Sequence, residues 1–219
     1  MRINLRYKAI IFDMDGVITN TMPYHFDAWL DIFSSVGIKV NCYDVYKREG
    51  EDGLTTIKEM FRQHRKKFNL QEAKKLLSRK EDLFKRTVKK RFVKGARPFV
   101  RYLKKRGFLL ALVTGTSRHE AEEILPCGLF NMFNVTVTGN EIKKGKPHPE
   151  PFLKALKLLK VSSKEAAVIE NAPFGVEAAK RANLFCIALE TSLPKKYLSR
   201  ADFIFKSFAQ LKEKIYFAK

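Results

Sequence analysis

Asp13 and Asp15 stand one residue apart in the stretch AIIFDMDGVITN, directly behind an apolar run and directly before Gly16. Two carboxylates this close repel each other unless a cation or a shared proton lies between them. Such a doublet suits metal binding, or a division of labour between a nucleophile and an acid–base group. An N-capping aspartate followed by a turn aspartate would look the same in isolation. Three later stretches carry compatible chemistry. LLALVTGTS ends in the Thr114 hydroxyl and the amides of Gly115 and Thr116, before a helix expected to open at Arg118. Donors at such a helix start can hold a phosphate. KKGKPHPEPF sets Lys146 ahead of a proline-flanked His148 and a further expected helix. VIENAPFGVEAAKRA offers Glu170 and Asn171, oxygen ligands of the kind Mg2+ prefers. Each residue has a plainer alternative: Thr114 as a helix cap, Lys146 as a surface cation, Glu170 and Asn171 as turn residues.

These groups act together only if the fold gathers them. The runs KAIIFD, LLALVT, NVTVTG, AAVIEN, LFCIAL and ADFIF alternate with longer amphipathic stretches. They are nearly continuous in apolar character, as expected of strands covered on both faces, which predicts a parallel sheet in an α/β fold. Open sheets of this kind bind ligands at the carboxyl ends of their strands, and there the Asp doublet, Thr114, Glu170 and Asn171 all stand. Residues 14–108 contain no strand-like run. PYHFDAWLDIFSSVG puts Phe26, Trp29, Leu30 and Phe33 on one helical face, and TTIKEMFRQHRKKF and QEAKKLLSRKEDLFKRTVKKRF continue with three- and four-residue apolar spacing. The expected organisation is an α/β core from residues 1–20 and 94–219, interrupted by a helical insertion at 21–93. Gly95 and Pro98 mark the return to the core.

Composition narrows the partners. The 219 residues carry 43 Lys+Arg against 23 Asp+Glu, a net charge of +20 that attracts anions from phosphorylated metabolites to nucleic acid. The basic residues spread over many helices without an aromatic–basic stripe, so nucleic acid is not the expected partner. Cys42, Cys127 and Cys186 lie far apart with no zinc spacing and read as free thiols of a cytoplasmic protein. No window reaches the length of a membrane span, and the basic N-terminus has no secretory apolar region. Spacing excludes an EF-hand, since glycine follows directly on Asp15, and a P-loop, since GNEIKKGKP has one residue too many and a proline after the lysine. A monomer is expected.

Aspartates, a hydroxyl, a lysine and an acid–amide pair in this order resemble motifs I to IV of the haloacid dehalogenase superfamily. DMDGVITN and GKPHPEPF are the most specific stretches, and YHFDAW resembles the segment after motif I in the β-phosphoglucomutase-like subfamily. The resemblance implies a three-layer Rossmann-like core with an inserted α-helical cap. It implies Asp13 as nucleophile, Asp15 as acid–base, and Mg2+ held by Asp13, the Asp15 main chain, Asn171 and Glu170, the last directly or through water. It also implies that Thr114, Gly115, Thr116 and Lys146 steady the phosphoryl oxygens. On the cap and rim, His25, Trp29, Gly50, Lys80 and Arg118 are the substrate candidates.

Two departures bear on the activity. The mutase loop has an arginine shortly after its glycine to grip a second phosphate, whereas Glu51, Asp52 and Gly53 follow Gly50, leaving Arg48 as a partial substitute. Motif IV carries Asn171 where the subfamily usually has aspartate, which removes one negative charge from the metal site. The expected function is a Mg2+-dependent phosphatase of a small phosphorylated metabolite, with a sugar phosphate in view. A β-phosphoglucomutase-like isomerase is the alternative within the family. A basic nucleic-acid-binding module on an inactive core is the alternative of another class.

Overall fold

The apolar runs become a six-stranded parallel sheet in a computed structural model that describes residues 3–218. In chain order, β1 (Ile3–Arg6) and β2 (Ala9–Asp13) precede the helices α1 (Met22–Ser35), α2 (Cys42–Tyr46), α3 (Gly53–Gln63) and α4 (Leu70–Thr87). Next come α5 (Ala96–Lys105), β3 (Leu109–Val113), α6 (Arg118–Ile124), α7 (Cys127–Phe130), β4 (Val135–Val137) and α8 (Glu150–Leu159). The chain continues with β5 (Ala166–Glu170), α9 (Pro173–Arg181), β6 (Phe185–Leu189), β7 (Phe203–Phe205), α10 (Phe208–Lys214) and β8 (Ile215–Ala218).

The sheet order is β4-β3-β2-β5-β6-β7. Every residue of the central strand β2 is buried, and its side chains alternate between two cores. Ile10 and Phe12 pack with α5, α6 and α10, whereas Ala9 and Ile11 pack with α8 and α9. That period of two, with a helical layer on each face, explains why the strands read as unbroken apolar runs. From β2 the chain moves outward through β3 and β4, then returns to β5 on the other flank of β2. The crossing opens a crevice at the carboxyl ends of β2, β3 and β5.

Between β2 and α5 the helical insertion builds its own core from Trp29, Ile32, Phe33, Ile57, Met60, Phe61 and Ala73. Ala28 of α1 and Phe84 of α4 turn instead toward the sheet side. Leu30, expected on the buried face of α1, is exposed: one residue past Trp29 it is rotated about 100° away, and Ile32 fills the place. A parallel pair of β1 with β8 was not expected. Among the described residues no helix is long and apolar enough to cross a membrane.

Candidate active site

The strand ends deliver a buried ion triad. Asp13 closes β2, Glu170 closes β5, and the Lys146 ammonium lies between them, donating to Asp13 Oδ1 at 2.5 Å and to Glu170 Oε1 at 2.6 Å. All three are essentially inaccessible to solvent. A buried cation is tolerable only with such partners. Burial alone would lower the lysine, but Asp13 and Glu170 outweigh it and hold the ammonium charged far above neutral pH. Burial pushes the Asp13 carboxyl well above the usual carboxylate range, against the opposing pull of Lys146. Glu170 Oε2 accepts the amides of Asn171 and Ala172 at 2.7 and 3.0 Å. Any side chain at Gly175, in the first turn of α9, would overlap the Glu170 carboxylate.

Asp15 is anchored differently. Its Oδ1 accepts the Thr21 hydroxyl, and its Oδ2 accepts the hydroxyls of Thr114 and Thr116 at 3.2 and 3.1 Å. His25 Nε2 lies 3.4 Å from Oδ1. Burial raises the carboxyl, yet His25 and the hydroxyl donors more than offset this and set it at about 2. The doublet is thus split into two environments: one carboxylate on a lysine, the other in a hydroxyl cage.

Two oxygens remain unmatched. Asp13 Oδ2 and Asn171 Oδ1 are both buried without a hydrogen-bond partner, while the Asn171 amide nitrogen donates to Ser192 Oγ at 2.7 Å. The amide also packs against Gly16, whose φ of 86° and tight approach leave no room for a side chain. Buried acceptors without donors are costly, and oxygen atoms of this kind suit a hard divalent cation. The residues present therefore fit Mg2+. No group of three His, Cys, Asp or Glu among the described residues is arranged as a metal cage, so amide and main-chain oxygens would complete the ligand set. Glu170, expected among the ligands directly or through water, accepts from Lys146 with Oε1 and from two main-chain amides with Oε2.

A cavity of about 290 Å3 lies between the insertion and the core loops, lined by His25, Trp29, Gly50 and Lys80 together with Gly115 and Thr116. His25 stacks on Phe84 with ring centres 4.0 Å apart, and its Nδ1 is 3.2 Å from Lys80 Nζ. Burial lowers the Lys80 ammonium below the usual lysine range. Trp29 serves two ends, since it stacks on Phe33 within the helical core and also borders the cavity. Gly50, at φ 78°, presents its carbonyl to the Lys146 amide at 3.0 Å and pins the insertion onto the core.

Arg118 corrects an expectation. Its guanidinium donates to Glu141 and to the Thr136 carbonyl at 2.7 and 2.9 Å and does not border the cavity. Its position at the start of α6 turns it toward β4 rather than toward a ligand. Arg48 borders the cavity but is neutralised by Glu51 at 2.8 Å. Three residues of the site do not stand out in the sequence: Thr21 and Ser192, placed above, and Glu49, which lines the cavity. Thr21 follows the Asp doublet closely enough to have been a signal, whereas Glu49 and Ser192 lie in loops whose paths only the fold reveals.

Comparison with known proteins agrees with this geometry. The model of the haloacid dehalogenase-like hydrolases matches residues 7–183. A phosphorylated carbohydrates phosphatase from Thermotoga maritima is 34% identical over 183 residues, covering 81% of this chain and 82% of that protein. The β-phosphoglucomutase of Bacillus subtilis is 30% identical over 195 residues, covering 85% of each chain. A solved Bacteroides vulgatus structure assigned as a β-phosphoglucomutase superposes with a TM-score of 0.85 at 33% identity, covering 97% of this chain and 88% of that one. With an Asp doublet, a bridging lysine and an acid–amide pair at the carboxyl edge of one sheet, the chain belongs to the haloacid dehalogenase-like hydrolases, among their β-phosphoglucomutase-like members with a helical cap.

Proposed function

We propose that this enzyme is a Mg2+-dependent phosphatase of a small phosphorylated carbohydrate, acting through an aspartyl phosphate on Asp13. The observation that carries the proposal is the buried Lys146 bridge to Asp13 beside the two unpartnered oxygens of Asp13 and Asn171. When bound, Mg2+ supplies positive charge that offsets the repulsion between Asp13 and an incoming phosphoryl group. An Asp13 oxygen forms the new bond to phosphorus as the bond to the leaving oxygen breaks. Asp15, ionised in the free enzyme, takes the proton of the incoming phosphate monoanion, whose charge raises its carboxyl, and passes that proton to the leaving oxygen. The resulting Asp15 carboxylate then takes a proton from water, the water oxygen bonds to phosphorus, and the bond from phosphorus to Asp13 breaks. Lys146 and the Gly115 amide hold the phosphoryl oxygens, joined by the Thr114 hydroxyl and the Thr116 amide once these turn from Asp15 and from Thr114 Oγ1. We take residues 21–93 as the cap and 1–20 with 94–219 as the core. His25, Trp29, Gly50 and Lys80 frame the leaving group. The free thiols and the absence of a membrane-crossing helix among the described residues fit a cytoplasmic monomer.

The mutase is the second reading, favoured by the similarity to β-phosphoglucomutases. Against it stands the Arg48–Glu51 pair, in which the arginine bordering the cavity is offset by a carboxylate. A panel of sugar phosphates assayed with Mg2+ should release inorganic phosphate, and Asp13→Asn should abolish the release. Conversion of β-glucose 1-phosphate to the 6-phosphate with little free phosphate would decide for the mutase. Phosphate release that survives Asp13→Asn would refute both.

A further inference from the structure

Much of the positive charge lies where the active site does not use it. Between Asp82 and Glu120 there are twelve Lys or Arg residues and no Asp or Glu. Five of them, Arg97, Arg101, Lys104, Lys105 and Arg106, fall on α5 and the residue after it, outside the buried stripe of Ala96, Phe99, Val100 and Leu103. Helical spacing therefore gathers them on the outward side. None of the five meets an acidic partner among the described residues, whereas Lys8, Arg79, Lys180, Arg181 and Arg200 each do.

The fold adds aromatic rings from distant segments. Arg106 donates to the hydroxyls of Tyr102 and Tyr216 at 2.8 and 2.6 Å, and Lys212 of α10 lies 5.2 Å from the centre of the Tyr102 ring. Tyr216, on β8, is 38% exposed. Read along the chain, these residues form no stripe; α5, α10 and β8 together make one. From Arg97 in the first turn of α5 the patch runs to the amino edge of the sheet, since Gly107 leads from α5 directly into Leu109, paired with Ala9 at the start of β2. Asp13 is at the opposite edge.

We propose that this face binds single-stranded nucleic acid, with the α5 cations on phosphates and the Tyr216 ring against an unpaired base. Unpaired cations supply the charge complementarity, and an exposed ring is the sequence-tolerant platform that single strands use. A lipid surface is the poorer match. Of the large exposed apolar side chains, only Ile3 and Tyr216 belong to the β1–β8 pair, and the remainder lie on other elements. The proposal does not depend on the phosphatase reading, because it uses no residue of the catalytic edge.

The test is fluorescence anisotropy of the whole protein with an unstructured single-stranded oligonucleotide across a salt series, with phosphate release measured in parallel. The logarithm of the binding constant should fall linearly with the logarithm of salt, by about 0.7 per phosphate contact, or roughly 3.5 for the five cations. Arg101→Glu with Lys105→Glu should flatten that slope by about 1.4. Tyr216→Ala should weaken binding roughly tenfold and Tyr216→Phe should not, with phosphate release unchanged in every variant. Equal affinity for a duplex of the same length or for phosphatidylserine vesicles would overturn the proposal. Indifference to Tyr216→Ala would overturn it as well.

Discussion

Two buried carboxylates one residue apart sit in different surroundings. Asp13 faces an ammonium and keeps one oxygen unpartnered, as a nucleophile and ligand requires. Asp15 is enclosed by hydroxyls and His25, which hold its carboxyl at about 2, below the ordinary 3.8. A depressed carboxyl stabilises the fold above the unfolded value and loses that contribution as pH falls from about 4 toward 2. The difference is worth about 2 kcal/mol. Urea unfolding in a chelator should therefore find Asp15→Asn less stable than wild type by about this amount at neutral pH, with the gap closing in acid. A gap independent of pH would show that the hydroxyl cage does not favour the charged form. Asn171 gives a second test. Its Oδ1 is free and its nitrogen is tied to Ser192, so Asn171→Asp restores a charge at the same point. Mg2+ titration of phosphate release should show roughly tenfold tighter binding, and an unchanged midpoint would remove Asn171 from the ligand set.

At the level of elements, glycine decides how closely the insertion approaches the core. Gly50 has φ 78°, its carbonyl takes the Lys146 amide, and a side chain there would overlap Lys146. Gly50→Ala should cost about 1–2 kcal/mol through the left-handed backbone and lower kcat/KM at least tenfold through the displaced lysine. Steady-state kinetics with parallel unfolding separates the two effects, and unchanged kcat/KM would mean that the contact does not position Lys146. The inner sheet strands were legible in the sequence because both of their faces are covered, so their apolar runs are unbroken, and the shorter edge strands β4 and β7 showed through their β-branched and aromatic residues. The pair of β1 with β8 was not. INLR exposes most of its side chains, IYFA is equally short, and their pairing spans almost the whole chain. The motif residues were legible because each ends or follows a strand. Arg118 was misjudged because a helix start does not fix which way a long side chain turns, and Glu49 and Ser192 depend on loop paths that local spacing does not encode.

On the scale of the whole molecule, the parallel sheet brings residues more than 130 positions apart onto one buried ion cluster, and the helical cap closes over it. Net charge lies largely outside this arrangement. Around the active site Lys146 is set between two carboxylates and Arg48 against Glu51, while cations without an acidic partner among the described residues collect along α5. Legibility at this scale stops at the total: a charge of +20 is plain in the composition, but its placement requires the fold. The central claim is that Asp13 carries the phosphoryl group. Rapid quenching of turnover with a phosphate-labelled sugar phosphate, followed by peptide mapping, tests it most directly. An acyl phosphate labile to hydroxylamine should appear on the peptide containing Asp13 and be absent in Asp13→Asn. Label on another residue, or turnover with no covalent label at any quench time, would contradict it.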